Sequence, residues 1–228
     1  MSVADRPLPN SLLAPDAGYG WRAVARNLGG FLALLLAMPA LARPWPWTAA
    51  LLLPALGLMM YRMTVVMHDC AHATLFPSPR SNRLVGTLLG AAAGLSFRAF
   101  TRLHRRHHER VGLADDPQGP HYPGDWSRAR TRLLRHLLRP LFGWNLRYAL
   151  AESLVRPRNF IAAARRGELP ALAAIQLAIL AVATGGGAHP ELAALPFASA
   201  ATFGLFFSQL RGIAEHAAEA GAALQGNV

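Results

Sequence analysis

Lysine is absent from the 228 residues, so all 23 basic side chains are arginines. Acids are scarce at 12, which leaves a formal charge of +11. Cysteine occurs once, at Cys70, which excludes an intrachain disulfide and the stapled scaffold of an oxidising compartment. Residues 1–19 are not expected to act as a secretory leader: Pro7, Pro9 and Pro15 interrupt them, and no long apolar stretch stands there. Residues 1–20 are expected to form a mobile cytoplasmic tail.

Apolar side chains, by contrast, make up 53% of the chain, and the mean hydropathy is positive. The charge is not spread evenly. Uncharged windows cover 27–42, 44–61, 84–97, 169–190 and 192–210, with arginine or glutamate at their borders. A soluble nucleic-acid binder does not usually alternate basic blocks with long apolar runs, whereas loops flanking membrane helices do. Nucleic acid is therefore excluded as a partner. The expected fold is an all-α integral membrane protein, since a helix needs roughly 20 apolar residues to cross the hydrocarbon.

Four spans are expected, near 27–42, 47–67, 169–188 and 192–210, with Pro54 kinking the second. The shorter window 84–97 reads as re-entrant or interfacial. Segment 98–168 holds 15 of the 23 arginines, while the turns at 43–47 and 185–191 hold one between them. The positive-inside rule then places the N-terminus and segment 98–168 in the cytoplasm. The expected setting is a bacterial inner membrane. Within that cap, "SRARTRLLRHLLRPLFGWNLRYALAESL" alternates Arg with Leu at near-helical spacing, the pattern of a basic amphipathic helix in the headgroup layer. The expected domain spans 21–217, followed by a short tail at 218–228.

The histidines are grouped. His68 and His72 stand at i, i+4 in "HDCAH", at the inner end of the second span, which puts both on one helix face. His104, His107 and His108 stand at i, i+3, i+4 in "TRLHRRHHER" and share an arc of about 100°, with Arg105 and Arg106 pointing elsewhere. Imidazole is the commonest protein metal ligand, and clusters of it suit Fe, Zn, Cu or Ni. His121, His136 and His189 lack such spacing. Cys70 reads as a small packing residue. One metal reading takes "HDCAH" as a variant of the H-E-x-x-H motif, with His68 and His72 on zinc and Asp69 as the base of an intramembrane hydrolase. Asp69 is one methylene shorter than the glutamate that motif uses, and this reading gives His104, His107 and His108 no role.

Taken together, "HDCAHATLF", Asn82, "LGAAAGLSF", "HRRHH", "ADDPQG" and "RGIAEH" resemble the membrane fatty acid desaturase and hydroxylase superfamily across residues 20 to 217. The resemblance implies a non-haem di-iron centre at the cytoplasmic membrane face. Its ligands would be His68 and His72 from a first histidine box and His104, His107 and His108 from a second, with His216 as an additional one. Asp69, Asp115, Asp116 and Glu215 are the candidate carboxylates behind those ligands. The resemblance further implies O2 as co-substrate, an acyl lipid or fatty acyl chain as substrate, and a separate electron donor such as ferredoxin or cytochrome b5 with its reductase. The implied activity is desaturation. Hydroxylation or ketolation within the same superfamily, the zinc hydrolase, and a non-catalytic relic are the alternatives.

The chain departs from the family in one respect. A third box, H-x2/3-H-H, is missing: none of the twelve residues after His216 is histidine, and the position four before His216 is Gly212. Six candidate ligands remain where a two-metal imidazole site needs more. A truncated, a divergent and an inactive member are each expected to look like this.

Overall fold

The computed structural model describes residues 14–111, 113, 115–117, 130–146 and 168–223; over 215–223 this is the helical backbone alone. Among the described residues every regular element is helical. Residues 1–13, 118–129, 147–167 and 224–228 lie outside the described residues, and with them His121, about half of the expected cap and parts of the two tails.

The first helix, α1, is Ala17–Ala42. It starts ten residues before the uncharged window because Asp16 caps it, its Oδ1 accepting from Gly18 N at 2.8 Å. Its first turns are two-sided: Ala23, Val24 and Asn27 are buried, while Arg22 and Arg26 are exposed. The expected tail therefore ends before Ala17 rather than at residue 20. A 3-10 turn at Pro46–Leu52 leads into α2, Leu53–Ala71. Pro54 sits in the first turn of α2, where its missing N–H costs nothing, so it starts this helix instead of kinking it.

The expected re-entrant piece is a helix pair. α3, Pro79–Ala92, and α4, Phe97–Arg110, meet at 103° across a break of a few residues. α3 ends in a Schellman motif: Leu95 N donates to Gly90 O at 2.7 Å and Gly94 N to Ala91 O at 3.1 Å. Gly94 takes φ +78°, which a side chain would strain. Ser96 then caps α4, its Oγ accepting from Ala99 N at 3.2 Å. Before α3, the loop from His72 is tied down by buried Asn82. Its Oδ1 accepts from Phe76 N at 3.1 Å and its Nδ2 donates to Phe76 O at 2.6 Å.

α5, Arg130–Leu138, and a 3-10 turn at Arg139–Phe142 follow. α6 is Glu168–Ala183, then come a 3-10 turn at Pro190–Ala194, a short α7 at Leu195–Ser199, a π-helical turn at Ala200–Gly204, and α8 at Leu205–Ala223. Among the described residues, three continuous stretches are long and apolar enough to cross a membrane, Ala17–Ala42, Trp47–Ala71 and Pro190–Ala214, and the bent pair α3–α4 would make a fourth if it is one broken span. The third expected span is shorter than the window suggested. α6 has 16 residues, about 24 Å at 1.5 Å per residue, against a hydrocarbon core of about 30 Å.

α2 is the hub. Leu56, Met63 and Met67 are fully buried on it and pack with Phe31, Leu35 and Met38 of α1 and Leu89 of α3. Two glycines permit close approach. A Cβ on Gly57 would stand 2.4 Å from Phe203 Cβ, and one on Gly86 would stand 2.4 Å from Phe97 Cε2. The second contact seats the first residue of α4 against α3, so the helix angle is built into a missing side chain.

That contact sets a test. Gly86→Ala should destabilise the protein by about 1–3 kcal/mol through overpacking. In a Phe97→Leu background the penalty should shrink, because the clashing ring is gone. Thermal melts of the four variants of this cycle in detergent check it; an unchanged penalty would mean that the ring does not set the contact.

Candidate metal centre

The last turn of α2 carries His68, and His72 caps its C-terminus. α4 crosses this end with its histidine face inward: His104 and His107 are buried, while Arg102, Arg105 and Arg106 are exposed. His68, His72, His104 and His108 each offer a ring nitrogen, and the four nitrogens lie within 4.8 Å of one another. His104 is central. Its Nε2 is 2.9 Å from both His72 Nε2 and His108 Nε2. Phe100, one turn earlier, stacks on its ring at 5.3 Å and 10°, which fixes the ring plane.

Protons alone satisfy this arrangement poorly. A hydrogen on His104 Nε2 can be given to one of its two neighbours only. Moved to Nδ1, it would be buried without an acceptor. Burial, and then the neighbouring histidines, push the His104 pKa down to about 3; the same causes lower that of His72. His104 and His72 thus favour the neutral form, with ring nitrogens facing those of His68 and His108, and a neutral imidazole is the form that binds a cation. Metal–nitrogen bonds of about 2.0–2.1 Å put ligand nitrogens within roughly 4.2 Å of each other; the 4.8 Å spread here is slightly wider, so a small inward shift of the rings would bring all four onto a single ion.

His107 stands beside the group rather than in it. Its ring centre is 5.9 Å from that of His104 and 5.6 Å from that of His108. Its Nδ1 is 2.8 Å from Asp116 Oδ1, with both side chains buried. A carboxylate on Nδ1 fixes the tautomer and points Nε2 outward, the usual arrangement behind a metal-binding histidine. The other candidate carboxylates differ. Asp69 is 3.5 Å from His68 Nδ1. Asp115 pairs with Arg110 at 3.3 Å and Arg106 at 3.9 Å on the surface. The backbone of Glu215 and His216 belongs to α8, and their side chains lie outside the described residues. His136 is buried and presents its carbonyl to Gln209 Nε2. His189 pairs with Glu191 at 3.1 Å on the far turn.

Sequence reasoning took Asn82 only as part of the resemblance and assigned no role to Glu168 or Gln176, each a lone polar residue inside or at the border of an apolar run, where spacing carries no signal. Only burial and partners reveal what they do.

The family model described as "Fatty acid desaturase" matches residues 42–227. Curated relatives are similar over a shorter stretch. The chain is 31% identical over 79 residues to an omega-3 fatty acid desaturase, chloroplastic, of Brassica napus, covering 34% of this chain and 18% of that protein. It is 30% identical over 79 residues to the sn-2 acyl-lipid omega-3 desaturase (ferredoxin), chloroplastic, of Arabidopsis thaliana, covering 34% and 16%. An omega-3 desaturase of Ricinus communis matches at 29% over 65 residues, 28% of this chain and 14% of that protein. The match thus spans less than a fifth of the curated relatives' length. No solved structure matches.

The depressed His104 pKa has a signed consequence. The unfolded histidine titrates near 6.5 and the folded one near 3. Between those values the unfolded chain binds a proton that the folded chain refuses, so this contribution to stability is complete above about 6.5 and falls as pH drops toward 3. Melts of metal-free protein should lose stability between pH 7 and pH 4, and His104→Gln should lose less across the same range. Parallel pH profiles for the two proteins would contradict the burial of a neutral His104.

Proposed function

The chain belongs to the fatty acid desaturase family, and we propose that it dehydrogenates a long acyl chain of a membrane lipid with O2, at iron held by its histidines. The observation that carries this reading is the convergence of four imidazole nitrogens from two helices within 4.8 Å, inside a helical membrane protein of that family.

The overall reaction balances as –CH2–CH2– plus O2, two electrons and two protons giving –CH=CH– and two waters. Iron would supply the O2 activation that no side chain offers. The protein's own part is positional. Phe100 and the buried flank of α4 fix His104. Asp116 orients His107. His68 and His72 are held by the last turn of α2. His107 and His216 are proposed to complete a di-iron ligand set around the four-imidazole group. Support for His216 comes from register. The stretch from α7 through α8 runs parallel to α2 at an offset of 146 residues: Ser199 Oγ donates to Leu53 O, and the rings of Tyr61 and Phe207 are 6.1 Å apart. Carried on, that offset brings His216 to the level of Cys70, between His68 and His72.

The electrons are proposed to come from a separate carrier, of the ferredoxin kind named for the Arabidopsis relative or cytochrome b5 with its reductase. The histidine face of α4 meets the end of α2, so its opposite face, with exposed Arg102 and Arg105, points away from the membrane helices toward an aqueous partner. The arginine distribution supports the cytoplasm as that side. A hydrolytic zinc keeps one coordination position open. Here His104 and His108 join His68 and His72, which leaves a four-imidazole zinc closed to substrate and disfavours the hydrolase.

Expression in a host of known lipid composition, with acyl chains analysed by gas chromatography–mass spectrometry and metal measured on the purified protein, tests this. Wild type should add double bonds and carry iron. His68→Ala and His104→Ala should each reduce bound iron at least tenfold and abolish the new double bonds. Asp69→Asn should keep both, whereas a hydrolase with Asp69 as base would be inactivated. Zinc without iron, or no bound metal, would overturn the proposal.

A further inference from the structure

The direction in which α4 presents its histidines depends on two polar residues of a different helix. Glu168, the first residue of α6, is 7% exposed, a burial that glutamate rarely reaches unless it is paired. All of its recorded contacts go to the start of α4. Ser96 Oγ donates to its Oε2 at 2.6 Å, and Arg98 N donates to the same oxygen at 3.4 Å. Its Oε1 lies 3.0 Å from Arg98 Nε; this is a charge contact, since that oxygen receives no well-angled hydrogen bond. Ser96 is also the cap of α4. The carboxylate therefore sits where the dipole of α4 is positive and the amides of its first turn are unpaired.

Two turns along α6, Gln176 serves the other side of the same break. Its Nε2 donates to Ala91 O at 2.6 Å, which also accepts from Gly94 N, and to Ala92 O at 3.3 Å, both carbonyls of the last turn of α3. A break between helices at membrane depth has to have its backbone groups satisfied by protein. Here one helix does this for both ends, Gln176 for the end of α3 and Glu168 for the start of α4. A buried ion pair is a poor route to stability, and apolar residues of similar volume often serve as well or better. Its benefit lies in fixing one geometry among several.

We propose that Glu168, assisted by Gln176, is a positioning residue. It clamps the 103° break between α3 and α4 and so sets where His104 and His108 meet His68 and His72. The inference rests on those four imidazoles being a metal site, and its test has one arm that needs no metal.

In the first arm, nitroxide labels at Arg26→Cys and Arg102→Cys, in a Cys70→Ser background, report the distance from α1 to α4 in metal-free protein in nanodiscs. Both positions are exposed and unused by the site. Glu168→Ala should broaden or shift the distribution. Glu168→Gln, which can still accept from Ser96 and Arg98 N, should stay close to wild type. In the second arm, Co2+ is titrated into metal-stripped protein and followed by its visible absorption. Glu168→Ala should weaken Co2+ binding at least tenfold and alter the band shape, because His104 and His108 would no longer be held against His68 and His72. Leu35→Ala, a core truncation in α1 that lowers stability without touching α4, should leave the band shape and affinity unchanged.

An unaltered distance distribution in Glu168→Ala would overturn the proposal. So would equal effects on Co2+ from Leu35→Ala at matched stability. A wild type that takes up no Co2+ would instead count against the metal-site reading, while the distance arm still decides whether Glu168 aims α4.

Discussion

Four imidazoles share one small volume here only because the end of one helix runs into the side of another. A single helix can bring two or three histidines to one face, as α4 does with His104, His107 and His108, of which His104 and His108 meet at 2.9 Å, but a group of four needs rings from a second helix. His72, at the C-terminus of α2, supplies the convergence with its 2.9 Å approach to His104. Everything around that contact serves to hold two helix ends at a steep angle. Asn82 braces the loop after His72, Gly86 makes room for Phe97, Gly94 turns the chain, and α6 satisfies the exposed backbone groups.

The same angle separates two chemistries along ten residues of α4. Turned toward α2 are histidines, one of them, His104, with its proton affinity driven far down by burial. Turned away are guanidinium groups, of which Arg106 and Arg110 are drawn to Asp115. Positive charge is thereby kept on the outer side of the helix, where it does not compete for the converging lone pairs. Asp116, the next residue, works on the inner side by holding His107.

Much of this was legible in the sequence, because helical period and residue type were enough to find it. The i, i+4 and i, i+3, i+4 spacings placed the histidines on faces, and the apolar windows gave the all-helical membrane fold. What escaped depended on tertiary partners. α1 begins ten residues early because its first turns bury one side only, which a charge-free window cannot register. Pro54 read as a kink because the 3-10 turn before it, PWTAALL, is as apolar as the helix it leads into, so the window shows no boundary. Glu168 marked merely the border of a span, yet it reaches across to a helix some seventy residues earlier in the chain. Asp115 and Asp116, adjacent in sequence, part company in space, one to arginines and one to a histidine.

The central claim is that this group of histidines binds iron. X-ray absorption at the iron edge, on protein purified from iron-supplemented cells, addresses it most directly. Imidazole rings give a distinctive outer-shell scattering pattern, and the expected spectrum is nitrogen-dominated with several rings per iron, weakened in His104→Ala. Iron with oxygen-only ligation, or no stoichiometric iron, would contradict the claim.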